Sequence, residues 1–308
     1  MRWITRAAVL ALGVSAVAAG LTGVAAATAG KHVVKARQTT HLTSGKRPSV
    51  LGALPSAMPP KYVVVNSGSL ASVTGTQTRG SAVCPANTVP YGGGVFVGAT
   101  SLTVNVNSSI PTGTGWIADV NNASGSSTSF TVYAVCAKRN SWWSIVTSSA
   151  VTVNASGQAR ASVSCPTGAK IMGGGGFSNS GSTSVNQNSS FPVKSGSGKS
   201  ATFSWFVDEN NASTAPSSVT AYAVCGHAKG YTFVAGTSVS NPAGAQTEAT
   251  ATCPSGKVPM GGGVFSSSGS VSVNTNTTYP LSSGWAGFEN NASTGTATVT
   301  TFAVCAGT

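Results

Sequence analysis

Short apolar runs separated by Gly, Ser, Asn and Pro turns cover the chain from residue 62 to its end. The stretch TVYAVC at Thr131–Cys136 alternates larger and smaller side chains, and TAYAVC and TTFAVC repeat that alternation further along. Such a pattern is typical of a strand that is buried on both faces. Because about six short runs occur in every 80 residues, we expect an all-β fold of small sandwich-like or barrel-like modules.

Three copies of one unit generate this pattern. Each copy contains an aromatic residue, a Cys-Pro pair 22 positions later, a glycine run, the motif V-N-x-N, a Trp followed by N-N-A-S, and a closing [YF]-A-V-C. The spacing differs at one place, where the second copy has eight extra residues between Pro192 and Trp205. This agreement indicates duplication. It predicts three tandem β modules at residues 62–140, 141–229 and 230–308 (repeats 1, 2 and 3), either as beads or closed about a pseudo-threefold axis.

The residues before the repeats have a different character. Arg2 and Arg6 precede an apolar run that ends near Ala27, and small residues follow it. This is typical of a secretory signal peptide, here residues 1–29 with cleavage after Ala27 or Ala29. An uncleaved membrane anchor is the alternative, since the run is nearly long enough to span a bilayer. We expect cleavage, secretion and no stable membrane insertion afterwards, with residues 30–61 as a basic linker rich in Pro, Ser and Thr.

Six cysteines, two at matching positions of each repeat, are typical of disulfides in a secreted protein. The repetition favours the pairs Cys84–Cys136, Cys165–Cys225 and Cys253–Cys305. Each bond would close a loop of 50 to 60 residues, which stabilises a fold by about 4 kcal/mol in the chain-entropy model. No C-x-x-C spacing supports a metal site.

The net charge of +12 is unevenly distributed. The signal peptide and linker carry eight of the 17 basic residues, so the repeats hold nine basic and five acidic residues. A nucleic-acid groove needs clustered cations interleaved with aromatic residues, and the repeats show no such cluster. We therefore expect no specific nucleic-acid partner. The linker either contacts anionic envelope polymers or stays solvated.

The glycine runs in VPYGGGVF, KIMGGGGF and VPMGGGVF lie between apolar strand residues. A phosphate-binding loop is not indicated, because Gly198-Lys199-Ser200 lacks the first glycine that such a loop requires. Glycine in a strand marks the close approach of another group. We expect the Trp of each repeat to pack on the glycine run of that repeat.

The segment W-x-x-x-x-N-N-A-S is the best candidate for ligand binding, because an exposed Trp beside amides and carboxylates can hold a sugar. The alternative is that the Trp is core, the Asn pair is a hairpin turn and the acid is solvated. The candidate residues are Trp116, Asp119, Asn121, Trp205, Asp208, Asn210, Trp285, Glu289 and Asn290.

Catalytic chemistry has little support in the chain. None of the three histidines, His32, His41 and His227, recurs in the repeats. Paired carboxylates for glycoside hydrolysis would need two acids per site, and the adjacent Asp208 and Glu209 would point to opposite faces of a strand. We predict a protein that is not an enzyme and needs no metal or cofactor.

The combination C-P, GGG-V-F, N-N-A-S and Y-A-V-C-A over residues 62–308 resembles a group of secreted actinobacterial proteins, with similar modules in some phage tail proteins. The resemblance implies an extracellular location and surface binding, and it carries no active-site residues. The leading hypothesis is binding of cell-wall polysaccharide or other surface glycans at the bacterial envelope, where three weak sites would gain avidity. The alternatives are a structural extracellular protein without a small ligand and a protease inhibitor using the loop Val193–Ser200. The oligomeric state is left open.

Overall fold

The computed structural model describes residues 58–307, apart from the side chain of Lys199, and this part of the chain is built from β-strands. The predicted signal peptide and the linker up to residue 57 lie outside the described residues. Repeat 1 supplies β1 (Val63–Asn66), β2 (Leu70–Ser72), β3 (Thr76–Val83), β4 (Val89–Val97), β5 (Val104–Pro111), β6 (Gly115–Asn122) and β7 (Thr128–Ala137). Repeat 2 supplies β8 (Ser144–Thr147), β9 (Val151–Val153), β10 (Gly157–Ser164), β11 (Lys170–Ser178), β12 (Val185–Ser195), β13 (Thr202–Asn211) and β14 (Ser217–Gly226). Repeat 3 supplies β15 (Thr232–Ala235), β16 (Val239–Asn241), β17 (Ala245–Thr252), β18 (Val258–Ser266), β19 (Val273–Leu281), β20 (Gly284–Asn291) and β21 (Ala297–Ala306).

The strands form three antiparallel sheets of seven, and each sheet combines strands of two repeats. Sheet I has β1, β2, β4 and β7 of repeat 1 with β17, β19 and β20 of repeat 3. Sheet II has four strands of repeat 2 (β8, β9, β11, β14) and three of repeat 1 (β3, β5, β6). Sheet III has β15, β16, β18 and β21 of repeat 3 with β10, β12 and β13 of repeat 2. The all-β class is therefore confirmed, and the repeats close into a pseudo-threefold body instead of standing as beads.

The three disulfides tie the sheets to one another. In repeat 1, Cys84 follows β3 of sheet II, and Cys136 lies in β7 of sheet I. The same positions in repeats 2 and 3 join sheet III to sheet II and sheet I to sheet III, so the bonds complete a ring. The pairs are those expected from the repetition: Cys84–Cys136, Cys165–Cys225 and Cys253–Cys305.

The first glycines of the three runs meet where the repeats converge. A Cβ atom built on Gly92 would lie 2.6 Å from the Cα atom of Gly261. One on Gly173 would lie 2.9 Å from the Cα atom of Gly92, and one on Gly261 would lie 2.9 Å from that of Gly173. Real Cβ atoms do not approach other atoms so closely, so any side chain here would force the sheets apart.

The Trp of each repeat packs against the second glycine of the run in the same repeat, as the sequence predicts. A Cβ atom on Gly93 would overlap the indole of Trp116, and Gly174 and Gly262 stand in the same relation to their own tryptophans. The Trp116 Nε1–H donates to Ser109 Oγ at 2.9 Å. Because the ring nitrogen is satisfied inside the core, each Trp can be buried without an unpaired donor.

The insertion of repeat 2 lengthens one hairpin. Lys194 pairs with Phe203 and Ser195 with Thr202 in the β12–β13 ladder, and a short 3-10 turn, Gly198–Ser200, lies at the tip. Of the proposed inhibitor loop Val193–Ser200, the first three residues therefore lie in β12 and the other five form the tip of the hairpin. Added length at a hairpin tip leaves the sheet intact.

Candidate functional site

The tryptophans proposed as sugar platforms are inside the protein. Trp116, Trp205 and Trp285 are at most 1% exposed, because each ring fills the space above a glycine run. A sugar cannot stack on a ring that has no accessible face. The interpretation of these rings as a ligand platform is therefore wrong, and the alternative interpretation as core is right.

The first Asn of each N-N-A-S motif binds the next repeat. Asn121 Nδ2 donates to the carbonyl oxygen of Val185 at 2.8 Å and to Asn186 Oδ1 at 3.0 Å. Asn210 makes the same bonds to repeat 3, and Asn290 makes them to repeat 1. These buried amides join one repeat to the next around the ring. The sequence offered two interpretations of these residues, as ligand donors or as turn residues, and neither is right for the first Asn.

The second Asn of the pair makes the turn. In repeat 1, Asn122 Oδ1 accepts from the backbone N–H of Ser124 at 3.0 Å, and its Nδ2 donates to the Ser126 carbonyl. The same bonds recur at Asn211 and Asn291. A side chain that bonds the backbone two residues on is an Asx turn. The turn interpretation holds for this Asn alone.

The acids are also buried, so the expectation of solvated carboxylates is wrong. Asp119 forms a two-pronged ion pair with Arg79, both bonds at 2.8 Å, and Asp208 pairs with Arg160 in the same way. Arginine and carboxylate match in this planar geometry, which explains how an acid is kept at 3% exposure. Both pairs are internal to one repeat, and neither carboxylate is free for a ligand.

Glu209 and Glu289 lie one position further along and have no cation beside them. Glu209 Oε1 accepts from Ser217 Oγ at 2.7 Å, and Glu289 Oε1 accepts from Asn241 Nδ2 at 2.9 Å. The second oxygen of each carboxyl is buried and meets no hydrogen-bond donor in the part of the chain that the structure describes. Burial raises the pKa of each group to about 7. Both are structural carboxyls within the core.

Free cations collect at one end of the molecule. Among the described side chains, the lysines and arginines outside the two ion pairs lie at one end of the molecule, the end at which the [YF]-A-V-C strands finish and the glycine-run strands begin. We call this end the basic end; its cations are Lys61, Lys138, Arg139, Lys170, Lys194, Lys229 and Lys257. The opposite end carries the N-N-A-S turns and Ser-rich loops. The charge of the repeats is therefore segregated along the axis.

A cavity of about 490 Å³ opens at the basic end between the three repeats. Lys138, Arg139 and Lys229 line it, beside Tyr91 and Met260 from the strands that approach the axis. The Tyr91 hydroxyl donates to the Lys138 carbonyl oxygen at 3.0 Å, and this bond holds the backbone at Lys138 in place. Among the described residues, the lining contains no carboxylate side chain, so the cavity has a positive rim and an apolar floor.

Trp142 stands at the same end and is 48% exposed. Its ring stacks on His227 with a centroid distance of 4.5 Å, and His227 Nε2 bonds the Gly168 carbonyl oxygen at 2.7 Å. Sequence reasoning missed Trp142 because it was guided by the repeats. The matching positions in repeats 1 and 3 are Lys61 and Gly230, and an aromatic residue present in only one copy is the signal that could have revealed it.

No protein-family model matches the chain, and no curated protein is similar to it. Within residues 58–307, no helix is long and apolar enough to cross a membrane. The same residues hold no group of three His, Cys, Asp or Glu side chains placed for a metal ion. The three disulfides indicate folding in an oxidising environment.

Proposed function

We propose that the protein is secreted, is not an enzyme, and binds anionic carbohydrate polymers of the bacterial envelope through the basic end. The observation that carries the proposal is the segregation of the free cations to this end, with Trp142 exposed among them. Lysine and arginine side chains attract phosphate or carboxylate groups along a polymer, and an exposed indole stacks on a sugar ring. The interior Trp and Asn residues then serve the fold, and the binding surface lies elsewhere.

The linker adds to the same surface. Met58, Pro59 and Pro60, at the end of the linker, line the cavity at the basic end, and they follow the rest of that segment in the sequence. That segment carries Lys31, Lys35, Arg37, Lys46 and Arg47. These residues would add positive charge to the binding of a polyanion.

Co-sedimentation with purified cell wall tests this proposal. Residues 30–308 should be retained at low salt and released as the ionic strength rises from about 50 mM to about 500 mM, since salt screens exposed charges. The triple variant Lys138→Gln, Arg139→Gln, Lys229→Gln should lose most of the retention. Cell wall stripped of its anionic polymers should retain neither protein.

A matched control separates the position of the charges from the net charge. The variant Ser127→Asp, Thr214→Asp, Thr294→Asp lowers the net charge by the same amount at exposed positions of the opposite end. It should be retained like the wild type. Equal retention of all three proteins, or no retention of the wild type, would contradict the proposal and favour a purely structural extracellular protein.

A further inference from the structure

The insertion of repeat 2 creates a second cavity that the pseudo-threefold symmetry does not repeat. This cavity, about 490 Å³ in volume, lies at the basic end between the β12–β13 hairpin and the start of repeat 3. Lys170, Lys194 and Phe203 line it from repeat 2, and Tyr231, Thr232 and Phe233 line it from repeat 3. Repeats 1 and 3 lack the eight inserted residues, so their hairpins have no counterpart to this wall.

Tyr231 differs from its two counterparts in its hydrogen bonding. The Tyr62 hydroxyl donates to the Pro259 carbonyl oxygen of a neighbouring repeat at 2.8 Å, and Trp143 Nε1 donates to that of Pro90 at 2.8 Å. The Tyr231 hydroxyl is buried and has no hydrogen-bond partner among the described residues. A buried hydroxyl without a partner is costly, so an acceptor that reached it would be bound more firmly than at the surface.

Lysine side chains line the same cavity as the Tyr231 ring. Lys170 Nζ lies 4.7 Å from the centroid of the Tyr231 ring, and Lys194 projects from the hairpin. Lys257 donates to the hydroxyl of Thr232 at the edge of the cavity. The described residues that line the cavity include no carboxylate. Burial raises the pKa of Tyr231 above its usual value, so the phenol keeps its proton and remains a donor.

The walls are aromatic on both sides of the charged groups. Phe203 meets the Tyr231 ring edge to face, with a centroid distance of 5.6 Å, and Phe233 completes the repeat 3 side. Donors and cations set in an apolar wall bind one anionic group more strongly than an open surface does, because water competes less.

We propose that this cavity is a subsite for a single oxyanion, a phosphate or carboxylate group, which accepts from the Tyr231 hydroxyl and is neutralised by Lys170 and Lys194. The assignment rests on the proposed function for its physiological ligand, a charged unit of an envelope polymer. It makes one of the three repeat junctions the specific contact, while the rest of the basic end attracts the polymer without selecting its chemistry.

Titration of residues 30–308 with glycerol 1-phosphate and, in parallel, with glucuronate tests the subsite, with binding followed by NMR chemical-shift changes. At least one probe should bind, and the stronger of the two names the oxyanion. Tyr231→Phe should weaken its binding roughly fivefold to tenfold, because one hydrogen bond to a charged acceptor is lost. The melting temperature should not fall, since the hydroxyl has no partner in the protein. Lys194→Gln, made in the wild type, should also weaken binding of this probe, because it removes one of the two cations that neutralise the oxyanion.

Tyr62→Phe is the matched control. It removes the equivalent hydroxyl, which is bonded to Pro259, so it should lower the melting temperature and leave probe affinity unchanged. Failure of both probes to bind, or equal affinity of Tyr231→Phe and the wild type, would overturn the subsite.

The two proposals fail separately. Cell-wall retention without probe binding would remove the subsite and leave the proposed function. Probe binding that Tyr231→Phe weakens, in a protein that cell wall does not retain, would remove the proposed function and leave the subsite.

Discussion

At the residue scale, buried asparagine side chains join the repeats, a role that apolar side chains have in most cores. The carbonyl oxygen of Val185 accepts from both Asn107 and Asn121 of the preceding repeat, at 2.7 and 2.8 Å. The equivalent valines, Val273 and Val104, also accept from two asparagines each. These bonds are buried, and a buried donor or acceptor left unpaired costs more than the bond itself contributes. The Asn positions therefore hold the repeats in one arrangement.

Replacing these amides should destabilise the fold. Asn121→Ala, Asn210→Ala and Asn290→Ala should each lower the free energy of unfolding by about 2 kcal/mol or more, because several bonds are lost and their acceptors stay buried. Urea titration measures the change. Asn154→Ala is the control, since Asn154 is exposed in a turn and its change should stay within about 0.5 kcal/mol. Losses as small as that control would show that the amides do not hold the repeats together.

The buried glutamates predict a pH dependence. The pKa of Glu209 and Glu289 is raised to about 7 in the folded protein. Both carboxyls therefore stay protonated in the fold below about pH 7, whereas in the unfolded chain they ionise near pH 4.5. Their contribution to stability is complete below pH 4.5 and is lost as the pH rises to about 7. One pKa unit corresponds to 1.36 kcal/mol, so each carboxyl contributes up to about 3 kcal/mol of this change.

Thermal unfolding at pH 5 and pH 8 checks this dependence. The wild type should melt at the higher temperature at pH 5, and Glu209→Gln should reduce the difference by keeping a neutral amide in place. Repeat 1 has Val120 at the same position, so the site tolerates a side chain without charge. A wild type that melts higher at pH 8, or a Gln variant with an unchanged pH dependence, would show that the carboxyls are not protonated in the fold.

At the element scale, the repeats made much of the fold predictable. Equal spacing of cysteines, glycine runs and tryptophans fixed the disulfides and the packing of Trp116 on Gly93, because local pattern and packing agree there. The exchange of strands between repeats was not predictable. Strand pairing depends on register between distant segments, and β12 is paired to β18 of another repeat by residues with no local signature.

The candidate site was predicted poorly for a related reason. The same local motif, an Asn near a Trp, is compatible with an Asn side chain that contacts a ligand, a turn or a neighbouring repeat. Only the closure of the ring of repeats determines which of these contacts forms. The bulges at Asn107, Asn188 and Asn276 aim these side chains across the repeat junction. Conversely, Trp142 and Tyr231 differ from their counterparts in the other repeats. A comparison that looks for what the repeats share does not detect such residues.

At the scale of the whole molecule, ring closure separates structure from surface. Three sheets joined by three disulfides bury the repeated motifs and place equivalent turns of the three repeats at the same end of the axis. The ends that follow the cysteines carry the cations, and the opposite ends carry neutral turns. Within the described residues, the body thus presents its free lysines and arginines at one end.

Hydrogen–deuterium exchange of residues 30–308, with and without soluble anionic cell-wall polymer, tests the role of this end most directly. The account predicts slower exchange on binding in segments 138–143 and 227–232, around Arg139, Trp142 and Lys229, and no change in the N-N-A-S turns at 123–127, 212–216 and 292–296. Protection of those turns, or of neither end while the polymer is bound, would contradict it.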